Sequence, residues 1–469
     1  MQEARLLKHL TLAVMRGQVR ASQDPHRPEW HLSPVIGLLN DPNGFIYHAG
    51  YYHLFYQWNP LDCRHGSKYW GHWRSTDLVH WEHQPVALVP SEEYESHGCY
   101  SGSAVIVGGR ITLIYTGNVK YPDGSRTAFQ CLAQENSQGE FDKLGPILPL
   151  PAGYTGHVRD PKVWRHDGQW YMVLGAQDRL MQGKVLLLRS DDLHQWHNLG
   201  EIAGSGLGGL GPFGYMWECP DLFTLSGQEV LLFCPQGLPA KAERCRNTFQ
   251  AGYLLGKLDY MQAQFSHQDF HELDAGFEFY APQTTLAADG RRLLFAWMGI
   301  PDEDELYKPT VAYGWIHTMT CPRELSLVNG KVIQQPAREL QVLRREPRQW
   351  QGSATDAPAL PISSAEIIVD ITAPFVLELG GTLVLEWDGE RITLSRRNLR
   401  TGLQESRYWR GNLQQLQLLC DRCSIEIFIN QGEGVMTCSY FPSGQPHAIF
   451  KGNAELCLQH WLLSSPMLE

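Results

Sequence analysis

The chain has 469 residues, 43% of them hydrophobic and 19% charged, which is the composition of a globular protein and a length that predicts more than one core. Its 39 Lys and Arg stand against 50 Asp and Glu, a formal net charge of −11, and no block of clustered basic residues offsets it, which argues against nucleic-acid binding. The 11 cysteines are odd in number and often set in apolar runs such as Leu232-Phe233-Cys234. They fit reduced, buried thiols better than a disulfide framework, and the pair Cys420 and Cys423 has no second pair at zinc-ligand spacing.

The N-terminal segment, residues 1–27, predicts an amphipathic helix from about Glu3 to Val19. Its apolar run, Leu10 to Met15, is too short for a signal peptide and no small-residue cleavage site follows it. No apolar stretch reaches membrane-spanning length, so the expectation is a cytoplasmic protein with no membrane partner.

Residues 28–344 carry a repeat. Gly50, Gly109, Gly168, Gly227 and Gly290 each separate two short β-rich runs, at intervals of 59, 59, 59 and 63 residues. A second echo is S-x-D-L-x-x-W, at Ser75–Trp81 and again at Ser190–Trp196. Five similar hairpin-led units of this size predict a five-bladed β-propeller. Residues 345–361, with three prolines, read as a linker. Residues 362–469 alternate apolar and polar in short runs, such as Glu366 to Ile371 and Ser424 to Asn430, and predict a β-sandwich. Its expected role is to cover the propeller or to build a homo-oligomer.

The chemistry is concentrated just upstream of each repeat glycine. Unit one carries Asn40-Asp41-Pro42-Asn43-Gly44, unit two Tyr100-Ser101-Gly102-Ser103, and unit three Arg159-Asp160-Pro161. Unit four carries Trp217-Glu218-Cys219-Pro220-Asp221, and unit five Tyr280-Ala281-Pro282-Gln283. Asp-Pro and Asn-Gly are ordinary turn formers, but equivalent positions of propeller blades face one end of one channel. Carboxylates far apart in sequence then converge, and glycoside hydrolysis requires two carboxyl groups in different protonation states.

These motifs, with Phe55-Tyr56-Gln57, Asn59-Pro60, Trp70-Gly71-His72 and Ser424 to Glu433, resemble glycoside hydrolase family 32, which includes invertases, sucrose-6-phosphate hydrolases and fructanases. The resemblance implies that Asp41 is the nucleophile on a fructosyl carbon, Glu218 the acid/base, and Asp160 a third carboxylate that supports the transition state. It implies sugar contacts from Asn40, Gln57, Tyr100, Ser101, Arg159, Tyr280 and Trp297. Trp70 and an apolar wall made by Leu38 and Leu39 complete the expected substrate-binding set. No metal or organic cofactor is implied.

This chain departs from the family's common pattern at Arg64-His65-Gly66-Ser67-Lys68, where many members carry a Trp-Gly pair. That cationic segment, together with the expected location, points to sucrose 6-phosphate. The candidate phosphate partners are Arg64, His65, Lys68, Lys120, Arg126, Lys241, Arg244 and Arg246. Three alternatives stay open at this level: a plain sucrose invertase, a fructosyltransferase, and a sugar-binding propeller without catalysis.

Overall fold

The computed structural model describes residues 2–464. Met1 of the expected helical segment and residues 465–469 of the expected sandwich lie outside the described residues. The opening helix runs Gln2–Ser22. It continues past Val19 because Ala21 is buried on the body of the protein, and the helix end is tied down beyond it where the Trp315 indole donates to Asp24 Oδ2 at 2.8 Å.

Five sheets, antiparallel apart from one short edge strand, follow between Gly37 and Pro336. Each begins with an inner strand: Gly37–His48, Cys99–Val107, Tyr154–His166, Met216–Leu225 and Tyr280–Leu286. The inner strands touch one another in cyclic order, first to second, through to fifth and back to first. This is a propeller arrangement. The short strand Trp315–Ile316 pairs in parallel with Gly37 and Leu38 and so stitches late chain onto the first sheet. The two S-x-D-L-x-x-W echoes adopt one turn. Leu78 and Leu193 sit at φ 65° and 69°, and the Trp81 and Trp196 indoles both donate at 2.9 Å to the carbonyl three residues back.

The inner strands share an irregularity. Pairing to the second strand of each sheet skips between Leu39 and Pro42, Tyr100 and Gly102, Arg159 and Lys162, Glu218 and Asp221, and Tyr280 and Gln283. A β-bulge leaves residues out of the ladder and re-aims their side chains, and it tolerates proline, which has no N–H to donate. Every polar motif of the sequence therefore falls on a bulge. Asp160, Cys219 and Ala281 hold φ of 68°, 52° and 52° there, a conformation that costs a residue with a side chain about 1–2 kcal/mol. At Gly102 a Cβ would lie 1.9 Å from the Ile114 carbonyl oxygen, so only glycine lets the second bulge close.

The stretch expected as a linker is structured. Arg344–Ser353 is a strand paired antiparallel with Glu455–Leu463, and Leu360–Pro361 pairs with His447 and Ala448. Polar and proline-rich edge strands read as a connection because half of their residues face solvent. Two six-stranded sheets form the sandwich. Their inward residues, among them Ile367, Val369, Leu377, Leu385, Leu394, Leu418 and Ile427, make one continuous core, as aligned sheet packing requires.

The sandwich is fastened to the propeller by buried charges. Arg323 donates to Glu426 Oε2 from Nε at 3.2 Å and Nη2 at 2.6 Å, and from Nη2 to Thr437 at 2.7 Å. His31 bridges Asp421 at 2.9 Å and Glu426 at 2.7 Å. Burial alone would lower the His31 pKa, but these two carboxylates outweigh it and lift it to about 9.

Candidate active site

A cavity of about 280 Å³ opens where the bulges meet, lined by Asn40, Asp41, Gln57, Tyr100, Ser101, Arg159, Asp160, Glu218, Tyr280 and Trp297 among others. Two other cavities are larger, about 450 and 510 Å³, but they lie against the sandwich, and the acidic residues of the second, Glu243, Glu272, Asp274 and Glu433, are each paired with an Arg or Lys. Chemistry, not size, singles out the first.

At its floor, oxygens of Asp41 and Asp160 and the Cys219 sulfur lie within 4.8 Å of one another. Asp41 Oδ2 accepts from Ser101 Oγ at 2.6 Å, and Asp41 Oδ1 accepts from the Asn40 amide at 3.1 Å. Burial raises the Asp41 pKa above the ordinary carboxylate value and Glu218 adds to it, while Ser101, Lys68 and Asn40 pull it back. Asp160 Oδ2 accepts from the Cys219 backbone N–H at 2.9 Å. Burial, then the charge of Glu218, pushes the Asp160 carboxyl up to about 7 against the pull of Arg159. Two buried carboxyl groups this close resist ionising together.

Glu218 is held from three sides. Arg159 donates to Oε1 from Nε at 2.9 Å and Nη2 at 2.7 Å, and Oε2 accepts from Gln236 at 2.9 Å and from the Tyr280 hydroxyl at 2.5 Å. Glu218 is left with part of its side chain open to the cavity, 15% against 10% for Arg159. A carboxyl fixed in orientation yet open on one face can exchange a proton with a bound substrate.

The remaining expected contacts divide. Gln57 lines the cavity and is anchored by its amide to the Cys99 carbonyl at 2.9 Å. Trp297 also lines it, and its indole N–H is buried without a hydrogen-bond partner among the described residues. Leu38, Leu39 and Trp70 do not reach the cavity. Leu38 packs on Cys63 and Ile316, Leu39 joins the main propeller core, and Trp70 is buried against Phe55 and Tyr115 with its N–H on the Tyr100 carbonyl at 3.0 Å. They support the wall from behind.

The phosphate candidates divide as well. Arg64 is 70% exposed, faces Asp62, and is outside the cavity. Lys241, Arg244 and Arg246 line other cavities. His65 and Lys68 line the cavity, and Lys68 is buried and already donates to Asn40 Oδ1 and His65 Nδ1. Lys120 and Arg126 line it as well, and neither forms an ion pair among the described residues. Gln236, Phe249 and Pro301 line it too, and none of them stands out in the sequence motifs. Gln236 was discoverable, since it lies one strand over from Glu218 at the mouth-facing end of the hairpin after Gly227.

The family 32 glycosyl hydrolase N-terminal domain matches residues 31–336, and the family's C-terminal domain matches 388–456. The chain belongs to glycoside hydrolase family 32. It is 55% identical over 459 residues to a sucrose-6-phosphate hydrolase of Salmonella typhimurium, covering 97% of each chain. A sucrose-6-phosphate hydrolase from Lactobacillus gasseri superposes with a TM-score of 0.89 at 30% identity, over 97% of this chain and 96% of that one. A mutant Bombyx mori family 32 β-fructofuranosidase in complex with sucrose superposes with a TM-score of 0.87 at 32% identity, over 98% of both chains. The protein is thus a family 32 glycoside hydrolase, a propeller joined to a β-sandwich, and among its described residues no helix is long and apolar enough to cross a membrane.

Proposed function

We propose that this family 32 hydrolase is a retaining β-fructofuranosidase that acts on sucrose 6-phosphate, with sucrose as a second substrate. Asp41 attacks the anomeric carbon of the fructosyl unit as Glu218 gives a proton to the departing glucosyl oxygen. The covalent fructosyl-enzyme is then hydrolysed by a water from which Glu218 takes a proton back, so the enzyme returns to its starting state. Asp160 accepts fructose hydroxyls and faces the positive charge that develops at the ring. The spacing expected of such a pair is about 5–5.5 Å between carboxyl groups. Asn40, Gln57, Tyr100, Ser101, Arg159, Tyr280 and Trp297 supply the sugar contacts.

The observation that carries the substrate choice is the pair of cations, Lys120 and Arg126, on the wall of a pocket whose floor is acidic. Arg126 is held in place by its own neighbour. Its Nη2 donates to Asn118 Oδ1 at 2.5 Å. A substrate bearing a phosphate away from the fructosyl end satisfies both charges at once, and the relatives named for that substrate fit the same reading. Phosphorylated sucrose is made as the sugar is taken up, which fits a cytoplasmic enzyme.

The test is kcat/KM for sucrose 6-phosphate and sucrose in the wild type and in Arg126→Met and Lys120→Met. Each lost charge-assisted contact should lower the phosphorylated substrate's value roughly tenfold to a hundredfold and leave sucrose nearly unchanged. Arg64→Ala should alter neither. Equal losses on both substrates would remove the phosphate assignment.

A further inference from the structure

The segment that departs from the family's common pattern, residues 64–68, reaches the residue beside Asp41. Asn59 donates to the Arg64 carbonyl at 2.7 Å and folds residues 60–68 back over the first inner strand. That fold delivers Lys68, with only 5% of its surface exposed, to the nucleophile's neighbour. Lys68 Nζ donates to Asn40 Oδ1 at 2.7 Å and to His65 Nδ1 at 2.9 Å, and Asn40 Nδ2 donates to Asp41 Oδ1 at 3.1 Å.

Donor and acceptor capacities fix the direction of this chain. An ammonium is donor only, so Asn40 must present its carbonyl oxygen to Lys68 and its NH₂ to Asp41. His65 must accept at Nδ1, which leaves its proton on Nε2, aimed at Glu305 Oε1 3.3 Å away. Glu305 Oε2 accepts from His317 Nε2 at 3.0 Å, and His317 Nδ1 faces Lys308 Nζ at 3.2 Å. The edges of His65 and His317 both meet the Trp297 ring, at centroid distances of 5.8 and 5.0 Å. One buried carboxylate therefore clasps two imidazoles, and through them the cation beside the nucleophile and the Trp297 ring.

We propose that Lys68 is a positioning residue for Asp41: through Asn40 it sets the orientation of the nucleophile and holds it ionised, and Glu305 keeps Lys68 in place through His65. The proposal rests on the reading of Asp41 as nucleophile. The groups that face the ammonium are Asn40 and Asp41 from the first inner strand, His65 from its own loop and Glu305 from the short helix Glu305–Tyr307. Burial pushes the Lys68 pKa down to about 7, with Asp41 and Glu305 resisting the fall. The ammonium is therefore charged over the acidic range in which Asp41 must lose its proton, and its presence lowers the Asp41 pKa.

The experiment compares Lys68→Met, Lys68→Gln and Asp41→Asn with the wild type, measuring kcat and KM on both sucrose and sucrose 6-phosphate and kcat/KM against pH. Lys68→Met should lose roughly tenfold to a hundredfold in kcat, equally on the two substrates, and the acidic limb of its pH profile should move to higher pH. Lys68→Gln restores a donor to Asn40 without the charge, so it should recover part of kcat but not the position of the limb. It also carries the test if the Met variant does not fold. A loss confined to sucrose 6-phosphate would overturn the proposal and make Lys68 a phosphate ligand. An unmoved acidic limb in both Lys68 variants would overturn it too. Should Asp41→Asn stay active, the nucleophile assignment fails rather than the role of Lys68.

Discussion

Two regions of this hydrolase bury Asp, Glu and basic side chains together, at the propeller mouth and at the junction with the sandwich, and their ionisation is pushed in opposite directions. At the mouth, burial and mutual repulsion win: Asp41 is raised and Asp160 reaches about 7. At the junction, burial would raise Glu426 and Glu278, but Arg323 with His31, and Arg396, hold both at about 2. His31 likewise keeps Asp421 below the ordinary value. The exception, Asp274 at about 6, is the carboxylate that must share Arg323 with Glu426. A fold that can satisfy its buried charges does so where it needs rigidity. Where charges are left under-compensated, they are available to chemistry.

Four changes sharpen or break that contrast. The largest effect belongs to Asp41→Asn, which should lower kcat by roughly 10⁴–10⁶-fold, as loss of a nucleophile does, without loss of thermal stability. Turnover and a melting curve on the same sample read both. Next is the junction. Arg323→Met leaves Asp274 buried without its cation and Glu426 with His31 alone, and removing one partner of a buried pair costs about 3–5 kcal/mol. Urea unfolding should show that loss, while any enzyme that stays folded keeps its KM.

The same bulges explain how much of this was legible beforehand. Asp41, Asp160 and Glu218 were readable because each sits at one register of a repeat marked by glycines at near-constant intervals, and the bulge that turns it inward carries its own proline. Leu38 and Leu39 misled because adjacency to a motif says nothing about which side of a bulged strand a residue faces, and Trp70 because a motif residue on a regular strand can face the core. Arg344–Ser353 looked like a linker because an edge strand needs few apolar residues. Lys68 was visible as a charge, but not as a buried one, since the fold-back of its loop depends on Asn59 reaching the Arg64 carbonyl.

Smaller effects follow from pH. His31 has a folded pKa raised from 6.5 to about 9, so its contribution to stability is complete below pH 6.5 and is lost as pH rises through 9. His31→Gln should therefore be less stable than the wild type at pH 6 and converge with it at pH 10, which melting temperatures across that range would check. Asp160, also raised, contributes stability that is complete below its unfolded pKa of about 3.9 and lost as pH climbs through about 7. Asp160→Asn, whose amide tolerates the same positive φ, should match the wild type in stability near pH 4 and exceed it at pH 8, while losing activity. A variant equally stable at both pH values would show that the mouth carries no uncompensated charge.

The most direct test of the account is a leaving-group comparison between Glu218→Gln and Asp41→Asn. Loss of proton transfer alone costs about 10²–10⁴-fold, and a fructofuranoside with an aryl leaving group needs no protonation to depart. On this substrate, Glu218→Gln should recover its first chemical step in a burst of released phenol, while Asp41→Asn should show neither burst nor turnover. A comparable burst from both variants would contradict the assignment of Asp41 as nucleophile and Glu218 as acid/base.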